Sequence, residues 1–226
     1  MELDVDLIVL SFAAMKTGNI DYSAQLIRTK TRYLVNDTYN HLWIRKYGIQ
    51  TNRPMQVEEM VVEADSKAYA QPYMTVWFRN IDRLLAKLPE PEEEYDFIDI
   101  GCGRGVAALY VAQNYNFRSV AGFDFESSLI ADAYRNQEAM AKLTDIDFFV
   151  ADASIYILPD GKHVLFMFNP FDAPVMKSFM DNNIEALRRN KSVIAYANHH
   201  QLDVIKSFEP ASVTMIKDYR CALISF

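Results

Sequence analysis

The chain has 226 residues, half of them apolar and 13% aromatic, which suits one α/β domain with a real core plus a small extension and excludes a disordered chain. Its 23 Lys and Arg against 30 Asp and Glu leave a net charge of −7, which argues against nucleic acid as a partner. Cys102 and Cys221 are too few for a disulfide framework and fit no zinc spacing, Glu2, Asp4 and Asp6 argue against a secretory signal, and no stretch is long enough to span a membrane, so a cytoplasmic protein without a membrane partner is expected.

Residues 1–50 read as helices. Asp21 or Ser23 is the expected cap of one that buries Leu26, Ile27, Leu34 and Val35. This segment is also the basic part of the chain. Residues 1–53 hold seven Lys or Arg and five Asp or Glu, and the rest hold 16 and 25. Arg28, Lys30, Arg32, Arg45 and Lys46 read as a solvated helix face. Gly48, Thr51, Asn52 and Pro54 break the region. A helix is expected over 73–88, because Trp77, Ile81, Leu84, Leu85 and Leu88 recur on one face. Pro89, Pro91 and the acidic run Glu92 to Glu94 form the loop after it.

From Tyr95 onward strands and helices alternate. Strands are expected at 97–100, 119–123, 147–150, 164–168 and 192–196, with helices at 106–114, 128–143, 173–189 and 201–208 between or after them. Two more β runs, 213–217 and 220–225, close the chain. Only Asp218 and Tyr219 separate these two, so they must form an antiparallel hairpin. The expected fold is Rossmann-like α/β: a seven-stranded, mostly parallel sheet with an antiparallel last strand and helices on both faces. Residues 1–60 are expected to form an N-terminal helical extension that caps the site, and 61–226 the main domain.

Ligands of open α/β sheets bind at the carboxyl ends of the strands. The first strand ends in Asp99-Ile-Gly-Cys-Gly-Arg-Gly105. Gly101, Gly103 and Gly105 let the chain turn sharply and let a ligand approach the backbone. The pyrophosphate-binding spacing G-x-G-x-x-G fails, because position 106 is Val. Asp99 would repel a pyrophosphate and suits the cationic end of an amino acid. The second strand ends at Asp124, placed to accept both ribose hydroxyls of an adenosine, and Phe125 can lie against the purine. The third ends at Asp152, a candidate acceptor for the exocyclic amine of adenine. Together these describe a site for an adenosine with an amino acid attached and no phosphate. A nucleotide-binding oxidoreductase is disfavoured by the same spacing.

At this point the sequence resembles the class I S-adenosylmethionine-dependent methyltransferases. Asp99 to Gly105 matches their first motif, Asp124 their ribose acid, and Ala151-Asp-Ala153 their adenine segment. The resemblance covers about residues 68–226. It implies S-adenosyl-L-methionine as cofactor, held by Asp99, Gly101, Cys102, Gly103, Gly105, Asp124, Phe125, Asp152 and Ala153. Cys102 reads as a small packing residue of this loop, not a nucleophile. Phe168-Asn-Pro-Phe171 follows the fourth strand, where the family places its acceptor motif. Enzymes acting on planar or amide nitrogen carry Asn/Asp-Pro-Pro-Tyr/Phe there, and Phe171 and Asp172 depart from that form. Tyr69-Ala-Gln-Pro-Tyr73 is similar to a Tyr-x-Pro segment in an uncharacterised bacterial methyltransferase group that carries Tyr/Phe-Asn-Pro-Phe. A related pattern occurs in some protein-lysine methyltransferases. That likeness implies that Tyr69 and Tyr73 close over the cofactor.

Methyl transfer is an in-line displacement, so orientation is the main contribution expected of the protein. Tyr69, Tyr73, Phe168 and Phe171 are candidate aromatic walls for a cation. The Asn169 side-chain oxygen, and equally the Asn169 carbonyl, can accept from the proton-bearing group to be methylated beside Pro170 and Phe171, aiming a neutral amine's lone pair or holding a hydroxyl; the side chain also borders the cofactor. Asp172 and His199 are candidate bases; His200 stands beside the latter. No third ligand is evident for a metal at the His pair. The expected activity is transfer of the cofactor's methyl group to nitrogen or oxygen of a small molecule or a protein side chain. The alternative is a catalytically silent module that binds the cofactor and regulates or scaffolds a partner. The oligomeric state is left open.

Overall fold

The structure, a computed structural model, describes residues 20–51, 55–61, 65–140, 146–217 and 219–226. The first 19 residues of the expected helical extension and the far end of the expected helix 128–143 lie outside them, as does Asp218. The chain divides into two compact units, Met1–Leu42 and Trp43–Phe226. The helix α1 spans Ile20–Tyr47. On it Ile27, Leu34 and Val35 are exposed rather than buried. Among the described residues no helix is long and apolar enough to cross a membrane.

The second unit is built on a seven-stranded sheet. Its strands are β1 (Asp96–Ile100), β2 (Ser119–Asp124), β3 (Asp147–Val150), β4 (His163–Phe168), β5 (Val193–Ala197), β6 (Ser212–Ile216) and β7 (Cys221–Ser225). Their order is β3-β2-β1-β4-β5-β7-β6. The first five run parallel, and β7 inserts antiparallel between β5 and β6. This is the Rossmann-like arrangement expected, with the closing hairpin where the short connection requires it. The helices are α2 (Phe78–Leu85), α3 (Val106–Asn114), α4 (Ser127–Ala139), α5 (Ala173–Arg189) and α6 (Leu202–Lys206).

Alternation along each strand splits the core into two layers. Phe97, Val164, Phe166 and Val193 face one layer with α2 and α3. Ile98, Ile100, Leu165, Met167 and Ile194 face the other with α5. α3 is buried from Val106 through Val111, as a helix apolar on all sides must be. In the first layer Trp43 packs its ring edge-on against Phe78 at 4.9 Å, and Phe78 stacks on Tyr110 at 4.2 Å.

The expected helix 73–88 is shorter than its periodicity suggests. Only Phe78–Leu85 is α-helical. The backbone N–H of Tyr73 donates to the Met55 carbonyl at 2.9 Å in an antiparallel bridge, residues 74–77 take no helical form, and Trp77 is extended. Ile81, Leu84 and Leu85 still make the buried face. The non-helical piece belongs to a strap, residues 65–76, that borders the carboxyl ends of the strands.

Candidate active site

One pocket opens at the carboxyl ends of β1, β2, β3 and β4. It is lined by Asp99, Gly101, Cys102, Asp124, Phe125, Asp152, Ala153, Asn169, Pro170 and Phe171, and by the strap residues Ser66, Gln71 and Tyr73. Most expected site residues therefore share a single cavity. Gly103 and Gly105 shape its loop without lining it. Tyr69, Asp172 and His199 do not line it.

The loop after β1 folds on itself through left-handed turns. Gly101, Gly103 and Gly105 have φ of 71°, 53° and 73°. The N–H groups of Gly101 and Cys102 both donate to the Phe123 carbonyl at 2.9 Å, tying β1's end to β2. A side chain at Gly103 would collide with the Tyr73 ring, whose nearest carbon lies 2.2 Å from the place a Cβ would occupy. The loop and the strap thus meet at a residue that only glycine fits. Arg104 fastens the same junction. Its guanidinium lies 4.8 Å from the Tyr73 ring centroid, donates to the Thr51 carbonyl at 2.9 Å and pairs with Asp132 at 3.0 Å.

Three carboxylates border the pocket. Asp124 is buried; Oδ2 accepts from the Gly103 N–H and Oδ1 from the Glu126 N–H, both at 3.0 Å. Asp99 is also buried, and its Oδ2 has no hydrogen-bond partner. Burial pushes the Asp99 carboxyl up to about 7, with the Asp124 charge adding to it. Burial likewise raises Asp124 to about 6. Asp152 is held differently. Its Oδ2 accepts from the Ser66 hydroxyl at 2.6 Å, and its Oδ1 from the Ser154 N–H and hydroxyl. Burial opposes its charge, but these bonds outweigh burial and hold it below the usual carboxylate range. Burial drives the Cys102 thiol well upward, which fits a packing residue.

Because Asp99 and Asp124 are raised above the ordinary 3.8, the folded protein holds these protons more firmly than the unfolded chain. They therefore favour folding at acid pH, and that contribution declines as pH rises through the window between 3.8 and about 7. Thermal unfolding of the ligand-free protein at steps from pH 5 to 8 checks this. Asp99→Asn is expected to flatten the decline; an unchanged slope contradicts the assignment.

At the β4 end, Asn169 has φ 45° and is largely buried. The Ala70–Phe171 bridge pairs the strap with the segment that follows it. Gln71 N–H donates to the Pro170 carbonyl at 3.1 Å, and Asp172 N–H to the Tyr69 carbonyl at 2.8 Å. The Tyr69 side chain is exposed. Asp172 Oδ1 accepts from the side-chain amides of Gln71 at 2.9 Å and Gln201 at 3.4 Å, so its carboxylate joins strap to sheet. The His199 ring lies 6.3 Å from that of Tyr196.

The residue pattern missed Ser66, Gln71, Arg104 and Tyr196. The Tyr69 to Tyr73 segment drew attention to the strap, but nothing in the sequence marks the partners of Ser66 and Gln71, which are distant along the chain. Tyr196 carried a signal: a tyrosine inside an apolar buried strand needs a partner for its hydroxyl.

Residues 97–190 match a family model described as a methyltransferase domain. The match takes in β1 to β4 and the helix after them, the part of the chain whose strand ends form the pocket. No curated protein matches the chain. Similar solved structures include a Methanococcus maripaludis protein provisionally assigned as an S-adenosyl-L-methionine-dependent methyltransferase. It has 12% identity and a TM-score of 0.49, over 64% of this chain and 81% of that one. Another is an S-adenosylmethionine-dependent methyltransferase of Aquifex aeolicus, at 13% identity, TM-score 0.47 and coverage of 66% and 87%. TrmK of M. capricolum, solved with S-adenosylhomocysteine, matches at 14% identity, TM-score 0.44 and 68% of each chain.

The pocket fits S-adenosylmethionine on its own chemistry. The unpartnered Asp99 oxygen suits an ammonium, Asp124 suits a pair of hydroxyls, and Phe125 offers a flat apolar wall.

Proposed function

We propose that the enzyme transfers the methyl group of S-adenosylmethionine to nitrogen or oxygen of a small molecule or a protein side chain, at the Asn169–Phe171 end of the pocket. The observation that carries this reading is the buried Asp99 oxygen without a partner, in one cavity with Asp124 and Asn169. A buried carboxylate oxygen left bare costs about 1–3 kcal/mol or more, and a ligand cation removes that cost.

When bound, the cofactor supplies a methyl carbon made electrophilic by its sulfonium. The protein's own part is positional. Asp99 and the loop Gly101–Gly105 orient the amino acid end, and Asp124, Phe125, Asp152 and Ala153 the adenosine. Tyr73 covers the loop. Asn169, Pro170 and Phe171 set the acceptor at attack distance, which supplies the larger part of the rate. Asp172 serves this end by holding the strap through Gln71. Tyr69 contributes its carbonyl to the same pairing, and His199 stands behind Tyr196. Residues 1–60 as a helical cap and 61–226 as the catalytic domain belong to this proposal. So does kinship with the bacterial group carrying Tyr/Phe-Asn-Pro-Phe, supported by Phe168 to Phe171. Two free, buried cysteines support a cytoplasmic location.

Calorimetry with S-adenosylhomocysteine tests the cofactor half. At pH 6.5, binding is expected to release a proton, because a ligand ammonium pulls Asp99 down from about 7. The apparent enthalpy then varies with the buffer's ionisation enthalpy, and Asp99→Asn removes that dependence. Absence of binding defeats the proposal. Formation of S-adenosylhomocysteine on addition of cell extract tests the catalytic half; binding without turnover in any fraction marks a silent module instead.

A further inference from the structure

Three acceptors of residues 169–172, Asn169 Oδ1, the Pro170 carbonyl and Asp172 Oδ1, each already accept a hydrogen bond inside the protein, whereas the Asn169 side-chain donor gives none among the described residues. Asn169 Oδ1 accepts from the Tyr196 hydroxyl at 3.2 Å. That hydroxyl in turn accepts from the Gln201 N–H at 3.2 Å. A tyrosine hydroxyl has one proton. With Gln201 donating to its oxygen, the proton is directed to Asn169. This fixes the amide, with Oδ1 turned to Tyr196 and Nδ2 turned away. The opposite setting would aim two donors at one hydroxyl and leave its proton without Asn169 as a partner. The pair is well sheltered, with Tyr196 0% and Asn169 9% exposed. The Pro170 carbonyl is taken by the Gln71 N–H, and Asp172 Oδ1 by two glutamine side chains. Asn169 lines the cavity, and its Nδ2 makes no hydrogen bond among the described residues.

We infer that the Asn169 side chain presents an N–H donor to the methyl acceptor, that Tyr196 is the positioning residue that sets it so, and that the acceptor is an oxygen nucleophile. This rests on the methyl-transfer reading above and narrows it. A neutral amine has one lone pair, and an N–H aimed at that pair would occupy the electrons needed for attack. An oxygen has more than one. It accepts the Asn169 N–H with one pair and attacks with another. The O–C bond forms from that pair as the C–S bond breaks, and the C–S electrons go to sulfur. A carboxylate or phenolate oxygen ends neutral with no proton moved. A hydroxyl gives its proton to water.

The experiment uses the full chain, S-adenosylmethionine labelled with carbon-13 at the methyl group, and a fractionated metabolite and protein extract. The carbon shift of the labelled product reports whether the methyl sits on oxygen or nitrogen. Mild alkali then separates an ester, which releases methanol, from an ether, which does not. Methyl on oxygen is expected. Asn169→Asp keeps an acceptor at this point and removes the donor. It should lower turnover at least 100-fold in the active fraction, far more than it lowers S-adenosylhomocysteine affinity. Tyr196→Phe frees the amide and is expected to raise the apparent acceptor KM about tenfold with cofactor affinity retained, alongside a few degrees' loss of melting temperature from the unpaired Gln201 N–H and Asn169 Oδ1. A methyl on nitrogen, or full turnover by Asn169→Asp, overturns the inference and leaves the methyl-transfer reading intact. Cofactor binding with no labelled product in any fraction removes both.

Discussion

Replacing Asp124 with alanine is expected to weaken S-adenosylmethionine about 100-fold. Asp124 is the residue on which loop, strand and ligand converge. Its two oxygens accept the N–H groups of Gly103 and Glu126, and the residue lines the pocket. Each carboxylate oxygen has a second lone-pair direction, so both remain able to accept a ribose hydroxyl. Two hydrogen bonds to a charged acceptor, at about 1.5 kcal/mol each, give about 3 kcal/mol, or about 100-fold in affinity. The alanine variant also strands two N–H groups in a buried place, so some loss of melting temperature accompanies the loss of binding. Asp124→Asn separates the two effects. It keeps one acceptor oxygen and the residue's volume, and its affinity should fall between the wild type and the alanine variant. The wild type should also lose affinity below about pH 6, where Asp124 gains its proton. Isothermal titration at pH 7.5 and 5.5 reads all of this. Equal affinity for wild type and Asp124→Ala would place the ribose elsewhere.

The division between what the sequence disclosed and what it concealed follows chain separation. The strands are legible because each is a short run of apolar and β-branched residues between breakers, and α3 begins and ends at the residues its pattern names. The hairpin is legible because two connecting residues leave no room for a crossover. Asp99, the loop glycines, Asp124 and Asp152 are legible because their positions at strand ends are local facts. The strap is not. Ser66 meets Asp152 across 86 residues, Val61 N–H meets Glu126 across 65, and Gln71 meets Asp172 across 101. No periodicity records such pairings. Trp77 even extended the helical rhythm of α2 backward, because a residue near a helix start can keep the spacing of the face without the helical backbone. The role of Asn169 was half legible. The motif marked the residue, but the direction of its amide depends on Tyr196 one strand away, and so did the difference between offering an acceptor and offering a donor.

Gly105→Ala is expected to lower the melting temperature by about 10 °C. The left-handed φ of 73° already disfavours any side chain there, by about 1–2 kcal/mol. The added Cβ would also stand 2.6 Å from Phe148 Cζ and 2.9 Å from the Ala133 Cβ. Phe148 is fixed in β3 and Ala133 in the middle of α4, both buried, so neither can yield without moving its element. Overpacking of this kind costs about 1–3 kcal/mol. The sum is roughly 2–5 kcal/mol, at about 2–4 °C per kcal/mol in a domain of this size. Gly48→Ala is the matched control. Its φ of 67° carries the same backbone penalty, but nothing lies within 4 Å of the added carbon, so only the strain should register. If the two variants melt alike, the contact with Phe148 and Ala133 has no energetic weight. If Gly105→Ala melts far lower, as the geometry requires, cofactor affinity should fall with it. Asn136 of α4 donates to the Arg104 carbonyl at 3.1 Å, so displacing α4 also displaces the loop that Asp124 anchors.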